Sequence, residues 1–188
     1  MLGLSATAGN VRRQPESGER GFTLIELLIV VAIIGLIAAI AVPGLLRARM
    51  TANETSAIGS LRAIATAEAS YAAACGNGSY ATLFTTLAVG PGGSGDGFLS
   101  PDLANAPVPA KNGYVFTLGP GAGAVSTTLD CNAVLTSTAY YMSATPVVIG
   151  ATGARGFAAN QGIAIWQDRS GGAPAEPFAI GAGVSPVQ

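Results

Sequence analysis

Apolar and polar positions are distributed very unevenly along the chain, and one segment is almost entirely apolar. Residues 1–21 are polar and contain no apolar run, whereas from Phe22 to Leu46 the only charged side chain is that of Glu26. A helix of about 20 apolar residues is long enough to cross the roughly 30 Å hydrocarbon core of a membrane. The pattern therefore predicts a membrane-spanning helix over residues 22–46.

This apolar segment differs from an ordinary secretory signal peptide. Such a peptide has an apolar region of about 7 to 15 residues that ends at a small-residue cleavage site. Here the run is longer and continues directly into Arg47 and Arg49. An ordinary single-span membrane anchor fits the length equally well. Arginines flank the segment on both sides, so the positive-inside rule does not decide its orientation.

A second helical pattern follows the apolar segment. Apolar side chains recur at spacings of three and four residues, with Arg62 and Glu68 among the polar positions. The apolar positions are Ile58, Leu61, Ala65, Ala69 and Ala72. The sequence CGNGSY, which begins at Cys75, supplies helix stop signals. We therefore expect the helix to continue from the membrane segment to about residue 75 and to be amphipathic in its second half.

Short strands are predicted in the C-terminal half, where stretches rich in aromatic and β-branched residues are separated by turn residues. These stretches are residues 113–119, 137–145, 155–160 and 162–168. Residues 76–112 are expected to form a long surface connection with at most a short helical turn near ATLFTTLA. An antiparallel sheet of about four strands, within residues 113–188, would cover the amphipathic helix. The predicted fold class is therefore α+β.

Charge and composition argue against several functional classes. The chain has 9 basic and 10 acidic residues, so it lacks the strongly basic character with which proteins bind phosphate backbones. Nucleic acid is therefore not expected as a primary partner. The chain contains no histidine, which is the commonest general base and the commonest metal ligand. We expect no enzyme activity, no catalytic residue, no metal site and no cofactor.

The two cysteines favour a disulfide bond. Cys75 and Cys131 are too far apart for a CxxC redox or zinc motif, and no histidine can complete a metal site. A disulfide between them would contribute roughly 4 kcal/mol in the chain-entropy model, and the alternative is a pair of buried free thiols. Because disulfides persist in oxidising compartments, the bond would put the C-terminal domain outside the cytoplasm and the leader inside it.

The stretch RGFTLIELLIVVAIIGLIAAIAVPGLLRAR, residues 20–49, closely resembles the N-terminal signal of type IV pilins and type II secretion pseudopilins. The resemblance covers about 30 of 188 residues and depends on a specific order and spacing. It implies the pilin fold, a long N-terminal helix packed on a small antiparallel sheet. The matching features are Gly21 before Phe22, Thr23 and Leu24, Glu26 at the fifth position counted from Phe22, and an apolar helix that contains Gly35 and Pro43.

The resemblance also implies how the chain matures. A prepilin peptidase in the membrane would cut between Gly21 and Phe22 and would then methylate the new amine of Phe22. A residue without Cβ at the cleavage position lets an extended backbone approach the peptidase closely. Residues 1–21 would be the cleaved leader, residues 22–46 the transmembrane and filament-core helix, and residues 47–188 the exported pilin-like domain.

Glu26 is unusual because a carboxylate toward the centre of a membrane helix costs about 2.5 to 3.5 kcal/mol. The resemblance implies that Glu26 of one subunit pairs with the Phe22 amine of a neighbour and sets the axial register during assembly. A contact within one helix turn of the same chain is an alternative, and so is a charge that reaches the headgroups. Gly35 and Pro43 lower local helix stability, and the resemblance implies that the segment between them can unwind in the filament. The alternative is a membrane helix with a bend that neighbouring helices tolerate.

The function implied by the resemblance is that of a structural subunit of a type IV pilus, serving adhesion, motility or DNA uptake. Its partners would be further copies in a helical filament, the prepilin peptidase, the inner membrane, the pilus assembly platform and minor pilins. It would lie in the bacterial inner membrane, N-terminus in the cytoplasm, before entering a cell-surface pilus or a periplasmic pseudopilus. The alternatives are a type II secretion pseudopilin that forms a periplasmic piston for protein export, and a membrane-tethered enzyme or binding domain.

Overall fold

The computed structural model describes residues 21–187, which divide into two units, one ending at Ala41 and the other beginning at Val42. The predicted leader lies outside the described residues except for Gly21. Helix α1 extends over Leu24–Ala74 and contributes residues to both units. Its C-terminal end confirms the prediction of a helix that continues to about residue 75.

The described residues after α1 form short helices and short strands. The helical segments are α2 (Phe84–Leu87), a 3₁₀ turn (Pro91–Gly93) and α3 (Pro101–Ala104). The strands are β1 (Ala110–Lys111), β2 (Tyr114–Pro120), β3 (Ser126–Leu129), β4 (Leu135–Ser137), β5 (Tyr140–Pro146), β6 (Gly156–Asn160), β7 (Trp166–Asp168) and β8 (Val184–Pro186).

Within residues 21–187, six strands form one antiparallel sheet in the order β1-β2-β5-β6-β7-β8, and β3 pairs with β4 in a separate two-stranded sheet. The prediction of an α+β fold is confirmed, but the expected number of about four sheet strands is too low. The four predicted segments correspond to β2, β5, β6 and β7. The strands that were not predicted have two to four residues. That length is too short to display a clear period-two alternation.

The connection between α1 and the sheet differs from the surface segment predicted for residues 76–112. It contains α2, as expected, but it also contains α3 and the first strand. The side chains of Phe84, Leu87 and Leu103 are almost completely buried and belong to the hydrophobic core. A glycine-rich stretch separates α2 from α3, and each of these helices has only four residues, which is too short to show a clear helical period in the sequence.

The second half of α1 buries one face in the core that it shares with the sheet. The buried helix side chains include Ala57, Leu61, Ile64, Ala67 and Tyr71, and the sheet contributes Tyr114, Phe116, Tyr140, Met142 and Phe157. The predicted face is therefore partly wrong, since Ala69 is exposed and Glu68, predicted at a polar position, is buried. Burying larger side chains such as Ile64 and Tyr71 gains more free energy than burying alanines, which explains the different face.

The predicted disulfide joins Cys75, just after α1, to Cys131 in the turn between β3 and β4, with a Cα–Cα distance of 4.9 Å. The Cys131 amide also donates to the Cys75 carbonyl at 3.0 Å. Next to the bond, the Tyr71 hydroxyl donates to Asp130 Oδ2 at 2.8 Å. The end of the helix is therefore attached to this turn both by a covalent bond and by hydrogen bonds.

Candidate functional site: the N-terminal apolar segment

Helix α1 begins with a capping box formed by Thr23 and Glu26. The Glu26 amide donates to Thr23 Oγ1 at 3.3 Å, and the Thr23 amide donates to Glu26 Oε2 at 2.9 Å. The Thr23 hydroxyl donates to the same carboxylate oxygen at 2.6 Å. The Thr23 carbonyl accepts from the Leu27 amide, as the N-cap carbonyl of a helix does. Two backbone amides that the helix cannot satisfy internally are therefore satisfied by side chains.

The capping role of Thr23 was missed by the sequence-based prediction, although a signal for it exists. The spacing T-x-x-E at residues 23–26, directly before an apolar run, is the pattern of a capping box. An N-cap threonine contributes about 1 kcal/mol to helix stability. The Glu26 carboxylate therefore has a local role within its own chain, in addition to any role that it has between chains.

Only one of the two oxygens of Glu26 is used by the chain itself. Both bonds from Thr23 go to Oε2, and across residues 21–187 Oε1 accepts no hydrogen bond and forms no salt bridge. The Phe22 amide does not donate to Glu26 in this part of the chain either. The geometry therefore leaves one acceptor oxygen available to a donor from outside the subunit.

The apolar side chains of the segment are not covered by any other part of residues 21–187. Every residue from Gly21 to Arg49 is exposed, and the side chains of Phe22 and Leu24 are 74% and 78% exposed. Helix α1 contains an 18-residue window with a mean hydropathy of 3.0, enough by length and composition to cross a membrane. Exposed apolar surface on this scale requires lipid or other apolar helices around it.

The remaining predicted site residues all lie on this segment. Gly21 precedes the helix, whereas Gly35 and Pro43 lie within α1, which continues through both positions. A Cβ atom added at Gly21 or Gly35 would meet no atom within 4 Å. Within residues 21–187, crowding therefore does not require a glycine at either position.

Comparison with known proteins identifies the same segment. Residues 17–42 match a family model described as the prokaryotic N-terminal methylation motif. Over 52 residues the chain is 50% identical to the type IV major pilin protein PilA of Myxococcus xanthus, an alignment that covers 28% of this chain and 24% of that protein. Over 36 residues it is 64% identical to the type IV wide pilus major component PilA4 of Thermus thermophilus, covering 19% and 28% respectively.

The similarity is confined to part of each protein. The chain spans about a quarter of the length of these two curated relatives, since the alignments cover 24% and 28% of them. No solved structure matches the chain. Among the described residues there is also no group of three or more His, Cys, Asp or Glu side chains that could hold a metal ion.

Proposed function

We propose that this chain, whose N-terminal segment is that of the type IV pilin family, is a structural subunit of a type IV pilus. The observation that carries the proposal is the capped apolar part of the helix, exposed from Leu24 to Arg49, which needs partners from outside the subunit. The motif and the helix fit anchoring in the inner membrane, followed by residence in a pilus at the cell surface.

Maturation would create the N-terminus that assembly requires. Cleavage between Gly21 and Phe22 by a prepilin peptidase would remove residues 1–21, and methylation would modify the Phe22 amine. The structure supports access of the peptidase, because residues 21–23 are exposed and not helical, so the backbone there is free to extend into an active site. The amine would then lie one residue before the N-cap Thr23.

Glu26 would pair with the amine of a neighbouring subunit. Its Oε2 atom is occupied by the capping box, which fixes the carboxylate, and its Oε1 atom is available to the Phe22 amine of the neighbour. Within a filament the apolar helices exclude water, so an unpaired carboxylate would be costly and a paired one tolerable. The pairing would select one axial register between adjacent helices.

Residues 22–46 would form the filament core, with a region of low helix stability between Gly35 and Pro43. Because Pro43 lacks an amide hydrogen, the carbonyl of Ala39 receives no i to i+4 hydrogen bond within the helix. We propose that residues 35–43 lose helical structure when the subunit packs in the filament. Glycine at position 35 reduces the helix propensity further.

Residues 47–188 would form the exported domain, and its disulfide fits folding in an oxidising compartment. This domain would contact the pilus assembly platform and minor pilins during assembly. The role would be structural rather than enzymatic. Adhesion, motility and DNA uptake are the processes that such a filament would serve.

The test is electron microscopy of material sheared from cells, combined with mass spectrometry of the subunit N-terminus. We expect filaments whose subunit begins with a methylated Phe22, and a Gly21→Leu variant that stays uncleaved and forms no filaments. Cleaved chain without filaments, accompanied by a secretion defect on deletion, would instead identify a pseudopilin. A cleaved chain that stays monomeric, with neither phenotype, would identify a membrane-tethered domain.

A further inference from the structure

Three consecutive apolar side chains are exposed in the turn between β5 and β6. Val147, Val148 and Ile149 are 55%, 53% and 61% exposed. Single exposed apolar residues are common on protein surfaces, but a contiguous group indicates a surface that contacts lipid or another protein.

The turn is held in place by a dense set of hydrogen bonds. The Val148 amide donates to Thr152 Oγ1 at 3.1 Å, and the Thr152 amide donates to the Val148 carbonyl at 2.9 Å. The Gly150 amide donates to the Gly153 carbonyl at 2.8 Å, and the Val147 amide donates to the Gly113 carbonyl at 2.9 Å. The apolar side chains are therefore displayed by an ordered backbone rather than by a frayed loop.

The position of the turn follows from the direction of β5 along α1. At the beginning of β5, the ring of Tyr140 lies 5.0 Å from that of Tyr80, and the adjacent Ala81 amide donates to Glu68 at 3.0 Å. β5 then runs from the level of Glu68 toward the N-terminal part of the helix.

Two contacts after the turn define its level on the helix. The Thr152 carbonyl accepts from Asn53 Nδ2 at 2.8 Å, and the Ala154 amide donates to Glu54 Oε1 at 2.9 Å. Glu54 also forms a salt bridge with Arg155, with 2.6 Å between Glu54 Oε2 and Arg155 Nη2. This salt bridge attaches the beginning of β6 to the same helical turn. The apolar group therefore lies at the end of the sheet nearest to the beginning of the second unit.

The membrane-spanning run ends close to this level. Leu46 precedes Asn53 by seven residues, which corresponds to about 10 Å along a helix, and residues 42–46 belong to the same unit as the turn. Arg47 and Arg49 lie between them, are exposed, and form no salt bridge within residues 21–187. Exposed arginines that directly follow a membrane-spanning run are suited to the phosphates of lipid headgroups.

We propose that the apolar turn, Val147–Ile149, docks on the headgroup region of the anionic inner membrane while the subunit is anchored there. Its side chains insert at the boundary between headgroups and acyl chains, and Arg47 and Arg49 bind phosphates beside it. The docking holds the exported domain against the bilayer before assembly and has to be released when the subunit enters a filament. The inference rests on the membrane anchoring proposed above.

The test uses the full chain in vesicles that contain phosphatidylglycerol, with an environment-sensitive fluorophore on one introduced cysteine and the native disulfide left oxidised. The test variant is Ile149→Cys. Val125→Cys is the matched control, because Val125 is equally exposed (61%) and bonds to Thr138, just before the beginning of β5. Ile33→Cys, within the apolar run, reports anchoring.

Quenching by lipids that carry a spin label near the headgroup is the measurement. We expect the probe at residue 149 to be quenched at least about twofold more than the probe at residue 125, as for side chains inserted at the interface. The probe at residue 33 should respond to a deep spin label. Equal quenching at residues 125 and 149, with residue 33 still quenched, would overturn the docking and leave anchoring intact.

Two further outcomes would also contradict the proposal. If residue 33 is not quenched, the anchoring fails together with the docking. If the fluorophore at residue 149 reports an apolar environment only when the ratio of protein to lipid is raised, and is not quenched by the spin-labelled lipid, the surface binds a second copy of the chain rather than the membrane.

Discussion

The two halves of helix α1 form one continuous helix, but they differ in which surfaces cover their side chains. From Leu24 to Arg49 every side chain is exposed, whereas from Glu54 to Tyr71 one face of the helix is buried. The first half is apolar on all faces, a pattern found in membrane spans and in helices buried within large assemblies. The first half therefore depends on lipid or other subunits, and the second half depends on its own sheet.

Each half contains a carboxylate that illustrates this difference. Glu26 is exposed and caps its own helix, and within residues 21–187 its Oε1 atom accepts no hydrogen bond. Glu68 is fully buried, where its Oε2 atom accepts from the Ala81 amide and its Oε1 atom has no hydrogen-bond partner among the described residues. Burial raises the pKa of Glu68 to about 8, although the bond from Ala81 opposes the shift. The first carboxylate thus lies exposed at the start of the helix, and burial favours the neutral form of the second.

The largest effect is expected from Glu26→Gln. Glutamine can still serve as the acceptor in a capping box, so the substitution removes the charge and leaves the helix start intact. Burying the amine in the filament without its carboxylate weakens the free energy of association by about 3 kcal/mol or more. This corresponds to a decrease of over about a hundredfold in the association constant. We expect normal cleavage at Gly21 with filament yield reduced at least about tenfold, measured on sheared material.

As a control for this substitution, the midpoint temperature of thermal unfolding of the exported domain should be unchanged. Wild-type filament yield in Glu26→Gln would show that the charge does not set the register. A Glu26→Ala variant should also be processed but should assemble poorly, because it lacks both the charge and the acceptor of the capping box.

Removal of the disulfide should affect the second half of the helix instead. A Cys75→Ser and Cys131→Ser double variant is expected to lose about 4 kcal/mol of the free energy of unfolding, given a sequence separation of 56 residues. Denaturant unfolding of the isolated precursor in detergent measures this loss. An unchanged unfolding midpoint would mean that the bonds of Tyr71 and Cys131 already hold the helix end in place.

Glu68→Gln should change how stability depends on pH. The folded pKa of about 8 lies above the unfolded value of 4.5, so folding takes up a proton between these values and stability falls as pH rises. At about 1.4 kcal/mol per pKa unit, the loss between pH 5 and pH 8 is about 3 kcal/mol. The wild-type chain should therefore unfold at lower denaturant concentration at pH 8 than at pH 5.

Glutamine does not titrate, so the Glu68→Gln variant should lose most of this slope and should be the more stable protein at pH 8. Asp102 is a suitable comparison, because its hydrogen bonds to Lys111 and Ser100 lower its pKa. Asp102→Asn should leave the slope between pH 5 and pH 8 unaltered. A slope that persists in Glu68→Gln would assign the dependence to another group.

Local pattern and composition were enough to predict some features of the fold from the sequence. The apolar run, the helix end near Cys75, the α+β class and strands β2, β5, β6 and β7 of the main sheet are of this kind. The burial of Glu68 and of Leu103 was missed, because both depend on which surfaces the sheet and the connection bring to the helix. Packing decides such positions, and a helical period cannot rank Ala69 against Glu68 when the partner surface is unknown.

The candidate site residues Gly21, Phe22, Glu26, Gly35 and Pro43 could be found from the sequence because they follow one another on one continuous stretch of chain, and their roles in cleavage, assembly and helix flexibility stay predictions. What the sequence left open was the geometry of Glu26. The sequence predicts a contact between Glu26 and the Phe22 amine, either of a neighbouring subunit or of the same chain, and both stay predictions. The structure adds a contact that the prediction did not include, because Glu26 Oε2 accepts from Thr23 while Oε1 has no hydrogen-bond donor within residues 21–187.

Thr23→Ala tests the capping contact between Thr23 and Glu26, and it has the smallest expected effect of these substitutions. The substitution removes the hydroxyl that donates to Glu26 and accepts from its amide, which costs about 1 kcal/mol of local helix stability. The charge remains, so filaments should still form, with a yield reduced by no more than about fivefold. If Thr23→Ala abolishes filaments while leaving cleavage normal, as Glu26→Gln is expected to do, the fixed orientation of the carboxylate matters as much as its charge.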